Sequence, residues 1–132
     1  MRQLASAVFL VASVLIGLGA LGHGSQGAHL HASIDQFPIE PGMASMLYVV
    51  WYFVSGFMLL CGATLIWVWL RLRRGDRSRL FPAWLIGALY LVTGVAGMIY
   101  RHGDPFMATF IVLGGLVLAC SLILQRGQEP AA

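Results

Sequence analysis

The stretch from Leu47 to Leu70 reads LYVVWYFVSGFMLLCGATLIWVWL and contains no charged residue. At a rise of about 1.5 Å per residue, a helix over this stretch is longer than the hydrocarbon core of a bilayer, which is about 30 Å thick. The stretch runs directly into RLRRGDRSR, from Arg71 to Arg79, which is too charged to enter lipid at low cost. It therefore predicts a membrane-spanning helix with a fixed basic end.

The composition of the whole chain agrees with a lipid environment. Of its 132 residues, 59% are hydrophobic and 10% are charged, and the mean hydropathy is +0.83. A soluble domain carries about 25% charged residues. The formal net charge of +3 comes from arginines that cluster beside the predicted helix, so nucleic acid is not expected as a partner.

Three further apolar runs complete a predicted all-α fold, a single polytopic membrane domain. The predicted helices cover residues 3–21, 43–70, 81–100 and 105–124. An outer loop, 22–42, joins the first two helices, and a basic inner loop, 71–80, joins the second and third. The expected architecture is an up-down-up-down bundle of four transmembrane helices.

The first run has two interpretations. Arg2 followed by the apolar residues 4–21 also suits a secretory signal peptide. The run is long for that role, and no good small-x-small cleavage site follows Ala20. We expect a retained helix, with cleavage as the alternative.

Small residues predict where helices approach one another closely. They recur in the first helix at intervals of seven and in the third and fourth at intervals of four. The positions are Ala5, Ala12 and Gly19; Ser6, Ser13 and Ala20; Ala83 and Gly87; and Gly115 and Ala119. Aromatic residues predict interfacial anchors at both ends of the second helix. They are Tyr48, Trp51 and Tyr52 at one end and Trp67 and Trp69 at the other.

The arginines predict the orientation of the bundle. With the amino terminus inside, the cytoplasmic side holds Arg2, the five arginines of the 71–80 loop and Arg126, whereas the outer side holds only Arg101. Cytoplasmic loops carry an excess of Lys and Arg. We therefore expect both termini in the cytoplasm.

The outer side gathers the titratable side chains. The candidate metal ligands are His23, His29, His31, Asp35, Glu40, His102 and Asp104. In an extended segment, His29 and His31 would project to the same side and could bind zinc or copper. Their spacing matches no fixed template, and the alternative is a set of solvated loop residues.

A second hypothesis uses two of these histidines as cofactor ligands. His23 and His102 follow the outer ends of the first and third predicted helices, which can lie diagonally across a four-helix bundle. Two histidines facing each other there could ligate a b-type haem. A quinone at the outer face is a further form of this hypothesis.

The apolar runs themselves show no catalytic pattern. No charged side chain lies deep in a predicted helix, although ion relays and coupled transporters usually place one there. Cys61 and Cys120 lie far apart in apolar runs rather than in a Cys-x-x-Cys motif, so we expect packing residues. No catalytic residue and no enzymatic activity are predicted.

The chain resembles, over nearly its full length, the many small, uncharacterised four-helix integral membrane proteins of bacteria. The resemblance includes no catalytic motif and implies a fold and a compartment, the bacterial inner membrane. The small multidrug-resistance transporters are similar in length and helix number, but their first helix carries a membrane-embedded glutamate that is missing here.

Three functions are therefore expected, in order. The first is an accessory or structural subunit that packs against other membrane subunits or copies of itself. The alternative is a metal-, haem- or quinone-binding module built on the outer histidines. The third is an oligomeric transporter of small molecules.

Overall fold

A computed structural model describes residues 1–76 and 80–126. Within these ranges the chain is all-α and contains no strand. Its helices are α1 (Arg2–Ser25), α2 (Gly27–Ile34), α3 (Pro41–Arg73), α4 (Phe81–Tyr100) and α5 (Phe106–Gln125). Residues 77–79 of the predicted inner loop, including Arg77 and Arg79, lie outside the described residues.

Four segments are long and apolar enough to span a membrane, as the sequence predicts. They are Arg2–Ile34, Pro41–Arg73, Phe81–Tyr100 and Phe106–Gln125. The most apolar window of each has a mean hydropathy between 1.7 and 2.5. The prediction of four apolar helices is confirmed.

Two helices end later than the sequence predicts, whereas the other predicted boundaries agree to within two residues. The first helix does not end at residue 21 but continues to Ser25, and α2 occupies much of the predicted outer loop. The packing of this segment against α3 offsets the low helix propensity of its glycines. Helix α3 ends at Arg73 rather than at residue 70. The long side chain of an arginine can extend from an apolar helix toward water, so the helix can continue past the apolar run.

The helices pack mainly in two pairs, α1 with α3 and α4 with α5, and α1 joins the pairs by also packing on α5. In the described part of the chain, α1 and α4 do not contact each other, so they lie on a diagonal. Ser6 of α1 meets Trp69 of α3, whereas Gly24 lies beside Ser55. The two helices therefore run in opposite directions.

The core is apolar and contains two satisfied hydroxyl groups. The fully buried side chains include Phe9, Ile16, Leu65, Val68 and Val117. Two buried serines donate hydrogen bonds of 2.7 Å to the carbonyl four residues earlier, Ser13 to Phe9 and Ser121 to Val117. These bonds let a polar side chain occupy a medium without water.

Glycine allows the closest approach within each pair. A Cβ on Gly62 of α3 would lie 2.6 Å from the Cα of Gly17, and one on Gly114 of α5 would lie 2.5 Å from the backbone nitrogen of Leu91. Real Cβ atoms do not come so near a backbone, so these positions require glycine.

Small residues line the helix contacts of α1 and α4, as the sequence predicts. Most of the small residues noted in α1 are buried, namely Ala5, Ala12, Ser13 and Ala20, as are Ala83 and Gly87 in α4. On α5, Gly115 and Ala119 face away from the other described helices, because nothing lies within 4 Å of a Cβ on Gly115 and Ala119 is exposed. Adjacent helical residues differ by about 100° in direction, and it is Gly114 that faces α4.

Candidate functional site

His23 is the histidine most firmly held by the fold. Its Nδ1 lies 2.8 Å from the Ser55 hydroxyl, and its ring stacks on Trp51 with the centroids 4.0 Å apart. The Ser55 hydroxyl also lies 3.1 Å from the Trp51 carbonyl, to which it donates. These contacts fix the ring of His23 between the end of α1 and the middle of α3.

The same tryptophan ties α3 to the end of α1. Its indole Nε1–H donates to the carbonyl oxygen of His23 at 3.0 Å. The interfacial anchor predicted from the sequence is thus also a contact between helices. One turn earlier, Tyr48 stacks on His31 of α2 with the centroids 3.7 Å apart, so α2 lies against α3.

The extended geometry expected for His29 and His31 is wrong. Both residues lie in helix α2 rather than in an extended segment. Residues two apart on a helix point about 200° apart around its axis, so the two imidazoles diverge. His31 turns toward Tyr48, and His29 is exposed.

The predicted acidic ligands lie at the ends of helices. Asp35 is the C-cap of α2 and Glu40 is the N-cap of α3, and both are exposed. Asp104 belongs to the turn between α4 and α5. It pairs with Arg101 at 2.7 Å and accepts a hydrogen bond of 2.9 Å from the backbone N–H of Phe106. The side chain of Glu40 makes no capping hydrogen bond, whereas the carboxylate of Asp104 stabilises its turn.

His102 lies in the same turn, with a positive φ of 52° and an exposed side chain. Among the described residues, no group of three or more His, Cys, Asp or Glu side chains could hold a metal ion. The diagonal placement of α1 and α4 is the one that the haem hypothesis for His23 and His102 assumes. That hypothesis and its quinone form stay predictions.

At the opposite end of the bundle a second tryptophan also joins two helices. We call this the basic end, because it carries Arg2, Arg71, Arg73, Arg74 and Arg126. The Trp69 indole N–H lies 3.1 Å from both the carbonyl and the hydroxyl oxygen of Ser6, which ties α3 to the start of α1. The sequence could not distinguish this contact from simple interfacial anchoring.

Two tryptophans at the basic end, Trp67 and Trp69, each have an arginine guanidinium over the ring. The Arg73 guanidinium lies 5.2 Å from the ring centroid of Trp69, and the Arg71 guanidinium lies 5.4 Å from that of Trp67. Each contact contributes about 0.5–1 kcal/mol at an exposed site. The guanidinium groups are therefore held near the helix ends.

Within the apolar layer, the described cysteines and the Tyr90 hydroxyl are buried by packing. Cys61 and Cys120 are free and buried in the core, in agreement with the packing role expected for them. The Tyr90 hydroxyl is buried and has no hydrogen-bond partner among the described residues. Only 4% of Tyr90 is exposed, so packing closes this hydroxyl to a ligand.

Comparison with known proteins adds no family to this geometry. No protein-family model matches the chain, no curated protein matches its sequence, and no solved structure matches its fold. Its likeness to small membrane proteins is one of architecture: an all-α chain with four apolar helices. Its function has to be inferred from its own side chains and their contacts.

Proposed function

We propose that this protein is a non-enzymatic membrane subunit, an up-down-up-down four-helix bundle that packs against other membrane subunits or copies of itself. The polar side chains of the apolar layer support a structural role. Ser13 and Ser121 bond to their own helices, and Trp51 and Trp69 bond to the facing helix. The two serines are satisfied within their own helices, and the two tryptophans join helices, so all four have structural partners.

The outward face of α5 is the observation that carries the proposal. Gly115 and Ala119 lie one turn apart on this face, and Ala119 is exposed. Nothing lies within 4 Å of a Cβ built on Gly115. Two small residues four apart allow a further helix to approach the backbone closely, which is how membrane helices associate.

The surroundings of these two residues fit a helix rather than a ligand. Large apolar side chains flank them along the same face, namely Val112, Leu116, Leu122 and Ile123, all of which are exposed. Small residues between larger ones form the groove into which a neighbouring helix packs. The neighbouring Gly114 is already used against α4, so the bundle does not need Gly115 for its own packing.

A photo-crosslinking amino acid at Ala119 tests the proposal in native membranes. We expect a covalent adduct of one discrete protein mass after irradiation, because the crosslinker would lie in the helix–helix groove. An adduct of twice the mass of the chain identifies a second copy, and another discrete mass identifies a different subunit. Both masses are read by mass spectrometry.

The matched control places the same crosslinker at Val50 of α3, which is 47% exposed and whose neighbours one turn away, Met46 and Val54, are large, apolar and exposed. We expect lipid adducts there. Lipid adducts alone at Ala119, in the same amount as at Val50, would overturn the packing role.

The arginines support a placement in the bacterial inner membrane with the basic end in the cytoplasm. Reporter tags on the two termini are expected to be protected from external protease in intact cells, and to become accessible after lysis. Both termini then lie inside, and the first helix is retained. Tags on opposite faces, or loss of the amino-terminal tag by cleavage, would contradict this orientation.

A further inference from the structure

Two adjoining clefts open at the basic end of the bundle, where α1 begins and where α3 and α5 end. The first is lined by Arg2, Gln3, Ser6, Leu72, Arg73 and Leu124. The second is lined by Met1, Arg2, Ile123 and Arg126. Arg2 borders both, so three helix ends contribute to one continuous surface.

The charged side chains that line this surface are all positive. Arg2, Arg73 and Arg126 line the clefts, and the described lining contains no carboxylate. The first turn of α1 adds backbone N–H groups that have no partner within the helix, and it contains no acidic residue. Like charges gathered in this way repel one another unless an anion lies between them.

One of the arginines is held in position by the fold. Trp69 is tied to α1 through its hydrogen bonds to Ser6, and Arg73 lies over its ring. Ser6 itself lines the first cleft. The Arg73 guanidinium is therefore already held beside the cleft. On binding an anion it loses less conformational entropy than an arginine without such a contact.

Part of the lining of each cleft is apolar. Leu72 and Leu124 line the first cleft, and Ile123 lines the second. Ile123 is 41% exposed on the outer surface of α5, so the apolar wall continues along the outside of the bundle. A ligand with a negative head and a hydrocarbon tail meets complementary surfaces at both ends.

We propose that these clefts bind the phosphate headgroup of an anionic phospholipid, with Arg2, Arg73 and Arg126 around the phosphate and the acyl chains along α5. The inference rests on the membrane placement in the proposed function, but not on the subunit contact of α5. Guanidinium groups pair with phosphate oxygens through paired hydrogen bonds. The apolar wall favours a lipid over a soluble phosphate compound, since the latter leaves that wall uncovered.

The test uses the full chain in nanodiscs made of equal parts of phosphatidylcholine and phosphatidylglycerol. Native mass spectrometry of the released protein measures the ratio of the two lipids that stay bound. We expect phosphatidylglycerol to be enriched. Arg73→Gln is expected to reduce the enrichment about fivefold, the effect of one basic residue at an anionic surface.

Arg71→Gln is the matched control. Arg71 lies on the same helix and stacks on a tryptophan in the same way, but it does not line either cleft. We expect it to reduce the enrichment much less than Arg73→Gln does, because a charge outside the clefts attracts anionic lipid to the surface but does not hold the lipid that stays bound after release. Equal losses for Arg71→Gln and Arg73→Gln would overturn the site, because the attraction would then belong to the whole basic surface. Arg126→Gln is a second variant should Arg73→Gln lose its helicity.

Two further measurements distinguish a lipid headgroup from a soluble phosphate compound, and a failure of this inference from a failure of the proposed membrane placement. Added inorganic phosphate is expected to leave the bound phosphatidylglycerol in place. Its displacement would assign the clefts to a soluble phosphate compound and overturn the lipid. Incorporation into nanodiscs without enrichment would overturn this inference alone, whereas failure to enter nanodiscs would overturn the membrane placement as well.

Discussion

Replacing Gly114 with leucine is expected to separate α4 from α5 and to destabilise the bundle by about 3 kcal/mol or more. A Cβ at this position would lie 2.5 Å from the backbone nitrogen of Leu91 and 2.7 Å from the carbonyl oxygen of Gly87. Backbone atoms of a packed helix cannot move aside as a flexible side chain can. The helices must therefore move apart, and their contacts are lost along the whole pair.

The natural cysteine of α5 reports this separation. Cys120 is buried and free, so in detergent that contains a fixed, partly denaturing amount of SDS a maleimide reagent should label it slowly in the native protein and quickly in Gly114→Leu. Gly115→Leu, the adjacent position, is the control. In the isolated, monomeric chain no further helix covers this face of α5, so Gly115→Leu is expected to leave both the labelling rate and the thermal unfolding temperature unchanged. Similar effects of the two substitutions would show that α4 and α5 do not pack as described.

The second large effect is expected where α1 meets α3. Gly62→Ala would place its Cβ 2.6 Å from both the Cα and the nitrogen of Gly17 and 3.1 Å from the carbonyl oxygen of Ser13. We expect a loss of about 2 kcal/mol, the typical scale of overpacking between rigid elements. Faster labelling of the buried Cys61 and a lower unfolding temperature measure it.

Gly17→Ala is the matched control from the opposite side of the same contact. Its Cβ would lie 3.8 Å from the Cα of Gly62, an ordinary van der Waals distance. Because alanine is a better helix former than glycine, we expect Gly17→Ala to be neutral or stabilising by about 0.5–1 kcal/mol. A loss of stability equal to that of Gly62→Ala would contradict the asymmetry of this crossing.

These effects are large because helices in lipid gain little from hiding apolar surface. Lipid tails are as apolar as leucine, so helix association depends on close packing and on hydrogen bonds between helices. In the described part of the bundle the close packing includes Gly62 and Gly114, and the hydrogen bonds between helices include those of Trp51, Trp69 and His23. A single atom in the wrong place therefore removes much of what holds a pair together.

The candidate sites were predictable to different degrees. The sequence identified the histidines and arginines as the two polar clusters, since charge and polarity are properties of single residues. It could not show that His29 and His31 diverge, because that depends on α2 being helical. Nor could it separate Arg73 from Arg71, which differ only in which tryptophan they cover and in whether they border a cleft.

By itself, the sequence determined that the chain forms four long apolar helices with a strongly basic segment after the second. Helix length and hydropathy are local quantities, and the thickness of a bilayer gives them a fixed scale. Only the tertiary structure decided that Gly114 and not Gly115 faces a neighbour, that Trp69 holds Ser6, and that Arg2 shares a cleft with Arg73. Those are relations between residues far apart in the chain, and they depend on how each helix is rotated about its axis.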